Sequence, residues 1–157
     1  MANTIAFSGV SELEDHNYGY VAKCLRGHTS KPRNNHFVTG AAFGVDTLCL
    51  YLCYAWRREA THTVVVPDGK HNEEIVQFAL AMDLEVIVMP EGTDYMDRNT
   101  KMIQLSDILV AFPPTSEETG RGSSGAGTWS TIRRARKKGI PIYIYPLDRS
   151  NPWKENT

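Results

Sequence analysis

Arg98 and Asn99 open a helical stretch at Tyr95-Met96-Asp97-Arg98-Asn99-Thr100, where the helix dipole disfavours a cation. An anion held at the same end would account for the arginine, because a guanidinium fork grips a phosphate or carboxylate bidentately. Asn99 suits a ligand contact or a cap. The plain alternative for Arg98 is a solvated surface side chain.

Three further segments join small residues to polar ones. Ser8-Gly9-Val10-Ser11 offers a hydroxyl and a backbone N–H in a tight turn, although such turns are common. Thr39-Gly40-Ala41-Ala42-Phe43-Gly44-Val45-Asp46 has side chains small enough for backbone to approach a ligand, and the helix start after it has free N–H groups. Asp46 is either a carboxylate favoured by the dipole or a partner for a ligand hydroxyl. Thr119–Thr128 holds four glycines in ten residues and opens onto a helix. There Gly125, Gly127 and Thr128 can direct donors at phosphate oxygens. The other reading of this stretch is a flexible linker. No Gly-x-Gly-x-x-Gly dinucleotide fingerprint is present.

These segments need a frame. β-branched runs recur at Thr4–Ser8, Phe37–Thr39, Thr63–Val66, Glu85–Met89, Ile108–Phe112 and Pro141–Tyr145. Several are apolar at consecutive positions, as expected of strands covered on both faces. Helical spacing of apolar residues fills the gaps at Tyr18–Arg26, Val45–Glu59, Asn72–Met82, Asp97–Leu105 and Thr128–Lys138, and Gly139 stops the last of these. The alternation predicts an α/β, Rossmann-like, doubly wound and mainly parallel sheet of about six strands with helices on both faces. Residues 1–157 are read as a single nucleotide-binding domain. In such sheets ligands sit beyond the carboxyl ends of the strands, where the candidate loops fall.

Composition narrows the function. The chain has 157 residues, 41% hydrophobic and 22% charged, which argues against disorder. Its formal net charge of -1 argues against a dedicated nucleic-acid binder. The run Arg133, Arg134, Arg136, Lys137 and Lys138 sits at a helix C-terminus, where cations offset the dipole. No apolar run nears the ~20 residues of a membrane span, and no signal peptide is evident, so a cytoplasmic protein without a membrane partner is expected. Three cysteines, Cys24, Cys49 and Cys53, do not suggest a disulfide framework. Cys49 and Cys53 share a helix face with Leu48, Leu52 and Trp56 and read as core, so no metal and no cofactor is assigned.

Taken in order, the last three loops resemble those of the SLOG superfamily, which embraces DNA-processing protein A and the Lonely guy phosphoribohydrolases. Gly40-Ala41-Ala42-Phe43-Gly44-Val45-Asp46 is similar to its Gly-Ala-x-x-Gly-x-Asp segment. Asp97-Arg98-Asn99 with the strand Ile108–Phe112 resembles its Arg-Asn helix and next strand, and Ser124–Thr128 resembles its Gly-rich phosphate loop. The similarity spans roughly residues 3 to 146. It implies a Rossmann-like domain binding nucleotides or nucleotide-derived ligands, and a homodimer. The enzymatic branch cleaves the base from nucleoside 5′-monophosphates and reads Gly-Gly-x-Gly-Thr-x-x-Glu. Here Thr131 stands in the Glu position, and Asp46, Glu74 or Asp97 would have to supply a carboxylate.

The expected function is therefore binding of a phosphorylated nucleotide-type ligand, as sensor or carrier. Ser8, Gly9, Gly40, Ala41, Gly44, Asp46, Arg98, Asn99, Gly125, Gly127 and Thr128 are its candidate residues. Nucleoside-monophosphate N-glycosidase activity, with Arg98 and Asp46 as catalytic candidates, and single-stranded DNA binding are the alternatives.

Overall fold

In a computed structural model that describes residues 2–57, 59–67 and 73–157, a seven-stranded sheet runs through the molecule. Strands β1 (Asn3–Gly9), β2 (Asn34–Gly40), β3 (Thr61–Val66), β4 (Glu85–Val88), β5 (Ile108–Phe112), β6 (Ile142–Ile144) and β7 (Trp153–Glu155) lie in the order β4-β3-β2-β1-β5-β6-β7. Every pairing is parallel except β6 with β7. Helices α1 (Tyr18–Thr29), α2 (Val45–Trp56), α3 (Glu73–Ala81), α4 (Tyr95–Gln104) and α5 (Ala126–Lys138) connect the parallel strands.

Side-chain alternation explains the layers. On β1, Ile5 and Phe7 face α1 and α2, joining Val21, Leu25, Phe37, Val45 and Cys49 in one buried cluster. Ala6 faces the other way and packs with Met102, Ile103, Trp129 and Ile132 of α4 and α5. β3 splits likewise: Val64 and Val66 meet Ile75 and Ala79 of α3, and Val65 joins the α4–α5 side. Because both faces are covered, the consecutive valines are all buried. Cys49 and Cys53 are buried and free, as expected of small core residues.

A predicted sheet of about six strands is corrected to seven. The missed edge strand, Trp153–Glu155, carries no β-branched residue and follows Pro152, so local propensity does not mark it. Tertiary contacts hold it instead. Trp153 stacks on Trp129 with centroids 6.3 Å apart, and Glu155 takes a bidentate pair of hydrogen bonds from Arg136 at 2.7 and 2.9 Å. Boundaries shift as well: α1 runs to Thr29, β2 begins at Asn34, α2 ends at Trp56, and α4 and α5 begin earlier, at Tyr95 and Ala126. The predicted helix start at Asn72 lies outside the described residues.

The chain places β2, β3 and β4 successively on one side of β1, then returns to the other side with β5. This reversal leaves a crevice above the carboxyl ends of β1 and β5. The first turns of α2, α4 and α5 all converge there.

Candidate functional site

The cavity at this crevice encloses about 300 Å³. Its walls come from the end of β1 and the loop after it (Ser8, Gly9, Val10, Ser11), from Ala42 and Asp46, from one face of α4, and from Gly127 and Thr128 of α5. Glycines allow these segments to meet. A Cβ on Gly9 would lie 2.5 Å from Val45 Cγ2, and one on Gly44 would overlap the Val10 carbonyl oxygen. Gly44 also has φ of 78°, in the left-handed region. With these positions bare, the Val45 N–H donates to the Val10 carbonyl at 3.1 Å, and the β1 and β2 loops are joined.

On α4, the Asp94 carboxylate accepts from the Asp97 N–H at 2.9 Å, and the Asp97 carboxylate accepts from the Asp94 N–H at 3.1 Å. This reciprocal cap places two acids at the helix start. Arg98, in the next turn, is buried and turned into the cavity wall. Its Nε donates to Asn99 Oδ1 at 3.0 Å, and its guanidinium carbon lies 5.4 Å from the centre of the Tyr95 ring. Its Nη1 is buried without any hydrogen-bond partner. A buried donor on a charged group left unmet is costly.

Gly40 makes this placement possible from behind. A Cβ there would overlap Arg98 Nη1 and lie 2.6 Å from Arg98 Cζ and 2.7 Å from Asp46 Oδ2. Asp46 is itself buried and accepts a long hydrogen bond of 3.4 Å from the Ala42 N–H. Burial pushes its carboxyl up to about 6, against the opposing pull of the Arg98 charge and the Ala42 N–H. The site thus holds a fixed cation and a carboxyl able to change protonation near neutral pH.

On α5, Gly125 caps the helix in a left-handed conformation (φ 78°, ψ 6°), with Pro114 where its Cβ would be. The Ala126 N–H donates back to Ser123 at 3.1 Å. The next two N–H groups, of Gly127 and Thr128, have no partner one helical turn earlier, and both residues line the cavity. A Cβ on Gly127 would meet nothing within 4 Å.

Of the residues singled out in the sequence, Ser8, Gly9, Asp46, Arg98, Asn99, Gly127 and Thr128 line one cavity. Gly40, Ala41, Gly44 and Gly125 do not line it; they sit behind or beside it, where they allow close packing. Tyr95 and Met102 were missed as lining residues. They lie three before and four after Arg98, so helical spacing alone places all three on one face. Thr131 is buried with its hydroxyl donating to the Gly127 carbonyl at 3.0 Å, away from the cavity lining. Glu74 and Asp97 are exposed and outside that lining too, which leaves Asp46 as the carboxylate in it. Among the described residues no cluster of His, Cys, Asp and Glu suits a metal ion, and no helix is long and apolar enough to cross a membrane.

The basic run is committed elsewhere. Arg133 and Arg136 pair with Glu118 at 3.0 and 2.7 Å, and Arg136 also pairs with Glu155. Lys138 donates to the carbonyls of Ile103, Gln104 and Ser106 at 2.7 to 3.1 Å, and so caps the end of α4 rather than of its own helix.

No family model and no curated protein matches the chain. Among solved structures it is similar to the X-ray structure of TM1055, a structural genomics target, with a TM-score of 0.63 and 16% sequence identity. The match covers 89% of this chain and 72% of that one, and at this identity it shows the fold: a Rossmann-like α/β domain.

Proposed function

We propose that this domain binds a nucleotide or nucleotide-derived phosphorylated ligand in the crevice between β1 and β5, as a sensor or carrier, in the manner of the SLOG superfamily. The observation that carries the reading is Arg98, a buried cation in the cavity lining that makes no salt bridge among the described residues. A phosphate oxygen pairs with its guanidinium. The N–H groups of Gly127 and Thr128 supply two more donors from a helix start, where the dipole also favours an anion. Asp46 in its ionised form accepts from a ribose hydroxyl.

Calorimetry with the common nucleoside monophosphates tests this. Arg98→Ala is expected to weaken binding by about 1.5–3 kcal/mol, the worth of a hydrogen bond to a charged group. Arg98→Lys restores the charge but not a two-pronged grip, and recovers only part of the loss. Equal affinity in wild type and Arg98→Ala rules the role out.

A second reading rests on Asp46, the carboxylate in the cavity lining. In a nucleoside-monophosphate N-glycosidase, water adds to the sugar carbon as its bond to the base nitrogen breaks. A carboxylate stabilises the developing positive charge and takes one proton of the water, while the base leaves with a proton drawn from solvent. Release of free base by wild type, abolished in Asp46→Asn, supports this reading. Binding without base release leaves the sensor or carrier.

A further inference from the structure

The cavity's polar groups account for a phosphate and a sugar, and the residues at its mouth have a different character. Tyr95 lines the cavity, with its ring over the Arg98 guanidinium, yet is 47% exposed. Phe43 directly follows the lining residue Ala42 and is 58% exposed. Met96, next to Tyr95, is 47% exposed. Phe43 comes from the β2–α2 loop and the other two from the first turn of α4, two elements that each contribute a wall of the cavity. None of the three is needed to fill the core clusters.

We propose that Tyr95 and Phe43 form a stacking rim that holds the planar base of the ligand, making the site selective for nucleotides over sugar phosphates and inorganic phosphate. This inference rests on the reading of the cavity as a phosphate site. The spacing suits the task. The ring centre is 5.4 Å from the guanidinium carbon, so a phosphate on Arg98 leaves the rest of a nucleotide within reach of the ring. Every base has a π-face, so stacking alone selects bases as a class and does not rank purine against pyrimidine.

The test measures binding of inorganic phosphate, ribose 5-phosphate and the four common nucleoside monophosphates to wild type, Tyr95→Ala, Tyr95→Phe and Phe43→Ala. Wild type should bind the nucleotides roughly tenfold or more tighter than ribose 5-phosphate, the worth of one base–aromatic stack. Phe43→Ala should reduce that preference while leaving ribose 5-phosphate affinity unchanged, Tyr95→Ala should weaken nucleotide binding more than ribose 5-phosphate binding, and Tyr95→Phe should keep the preference. Equal wild-type affinity for ribose 5-phosphate and the nucleotides overturns the rim and leaves the phosphate site standing. A Tyr95→Ala loss that is the same for both ligand classes also overturns it, because the ring then acts only through Arg98. Binding of neither class overturns the rim together with the phosphate reading.

Discussion

Gly40 and Gly127 are both glycines near one cavity, but the space around them differs. A methyl on Gly40 displaces the end of the Arg98 side chain, which is flexible and moves more cheaply than backbone. Gly40→Ala should therefore fold, yet lose anion affinity to an extent similar to Arg98→Ala when both are titrated calorimetrically. A side chain on Gly127 meets no protein atom within 4 Å and enters space beside the helix start. Gly127→Val is expected to block binding while shifting unfolding free energy by about 1 kcal/mol or less, since glycine and valine differ little in helix propensity and the added side chain meets open space. Chemical denaturation separates the two quantities. The sequence marks both glycines, and their setting in strand–helix loops makes both read as ligand contacts. Spacing does not tell whether a bare α-carbon faces the ligand or faces the arginine that would hold it. Tyr95 shows the opposite omission. It reads as a loop residue ahead of the helix until the helix is seen to begin at Tyr95 and the three-residue step to Arg98 becomes a shared face.

Helices and strands with strong apolar periodicity are legible from the spacing of their residues, and β7 shows where that legibility stops. Its three residues, Trp153, Lys154 and Glu155, become a strand through partners elsewhere: Trp129 and Arg136 on α5, and the exposed edge of β6. The strand also covers that edge, which would otherwise present unpaired backbone groups. Trp153→Ala should cost about 1.5–3 kcal/mol of stability, the range for exposing a large apolar side chain. Hydrogen exchange in this variant should quicken along β6 and leave β2 and β3 unchanged. Uniform loss of protection across the sheet would mean that β7 supports the whole domain. The cap of α4 is likewise set by tertiary structure, since Lys138 lies 32 to 35 residues from the carbonyls it meets.

For the molecule as a whole, three buried groups set an acid response. Burial lowers His28 to about 4 and His62 to about 3, so both stay neutral in the fold while the unfolded chain takes up protons below about 6.5. Stability from these two is lost as pH falls. Asp46 works the other way: its folded value, about 6, lies above the unfolded one, so the fold gains a proton and relative stability as pH drops through 6. Between pH 6 and 5 two histidines oppose one carboxyl, and the net is one proton in favour of the unfolded state. Unfolding free energy should fall on the order of 1 kcal/mol per pH unit over that interval. Asp46→Asn removes the counterweight and should make the slope steeper, by up to about twofold. His36, lowered by burial, adds in the same direction as the other histidines. Urea titrations at pH 6.0, 5.5 and 5.0 check the slopes, and a shallower slope in Asp46→Asn contradicts the assignment.

The contact of Lys138 with the last carbonyls of α4 has a mechanical consequence. α4 carries Arg98 and Asn99 to one wall of the cavity, and α5 carries Gly127 and Thr128 to another. The lysine fastens these two rods to each other at the end away from the cavity, roughly 15 Å along α5 from Gly127 and Thr128. A second tie lies nearer the cavity, where Arg134 Nε donates to the Thr100 hydroxyl at 2.7 Å. Two rods braced at two points move as one piece, so the width between these two walls is set by the bracing and not by the loops at the cavity mouth.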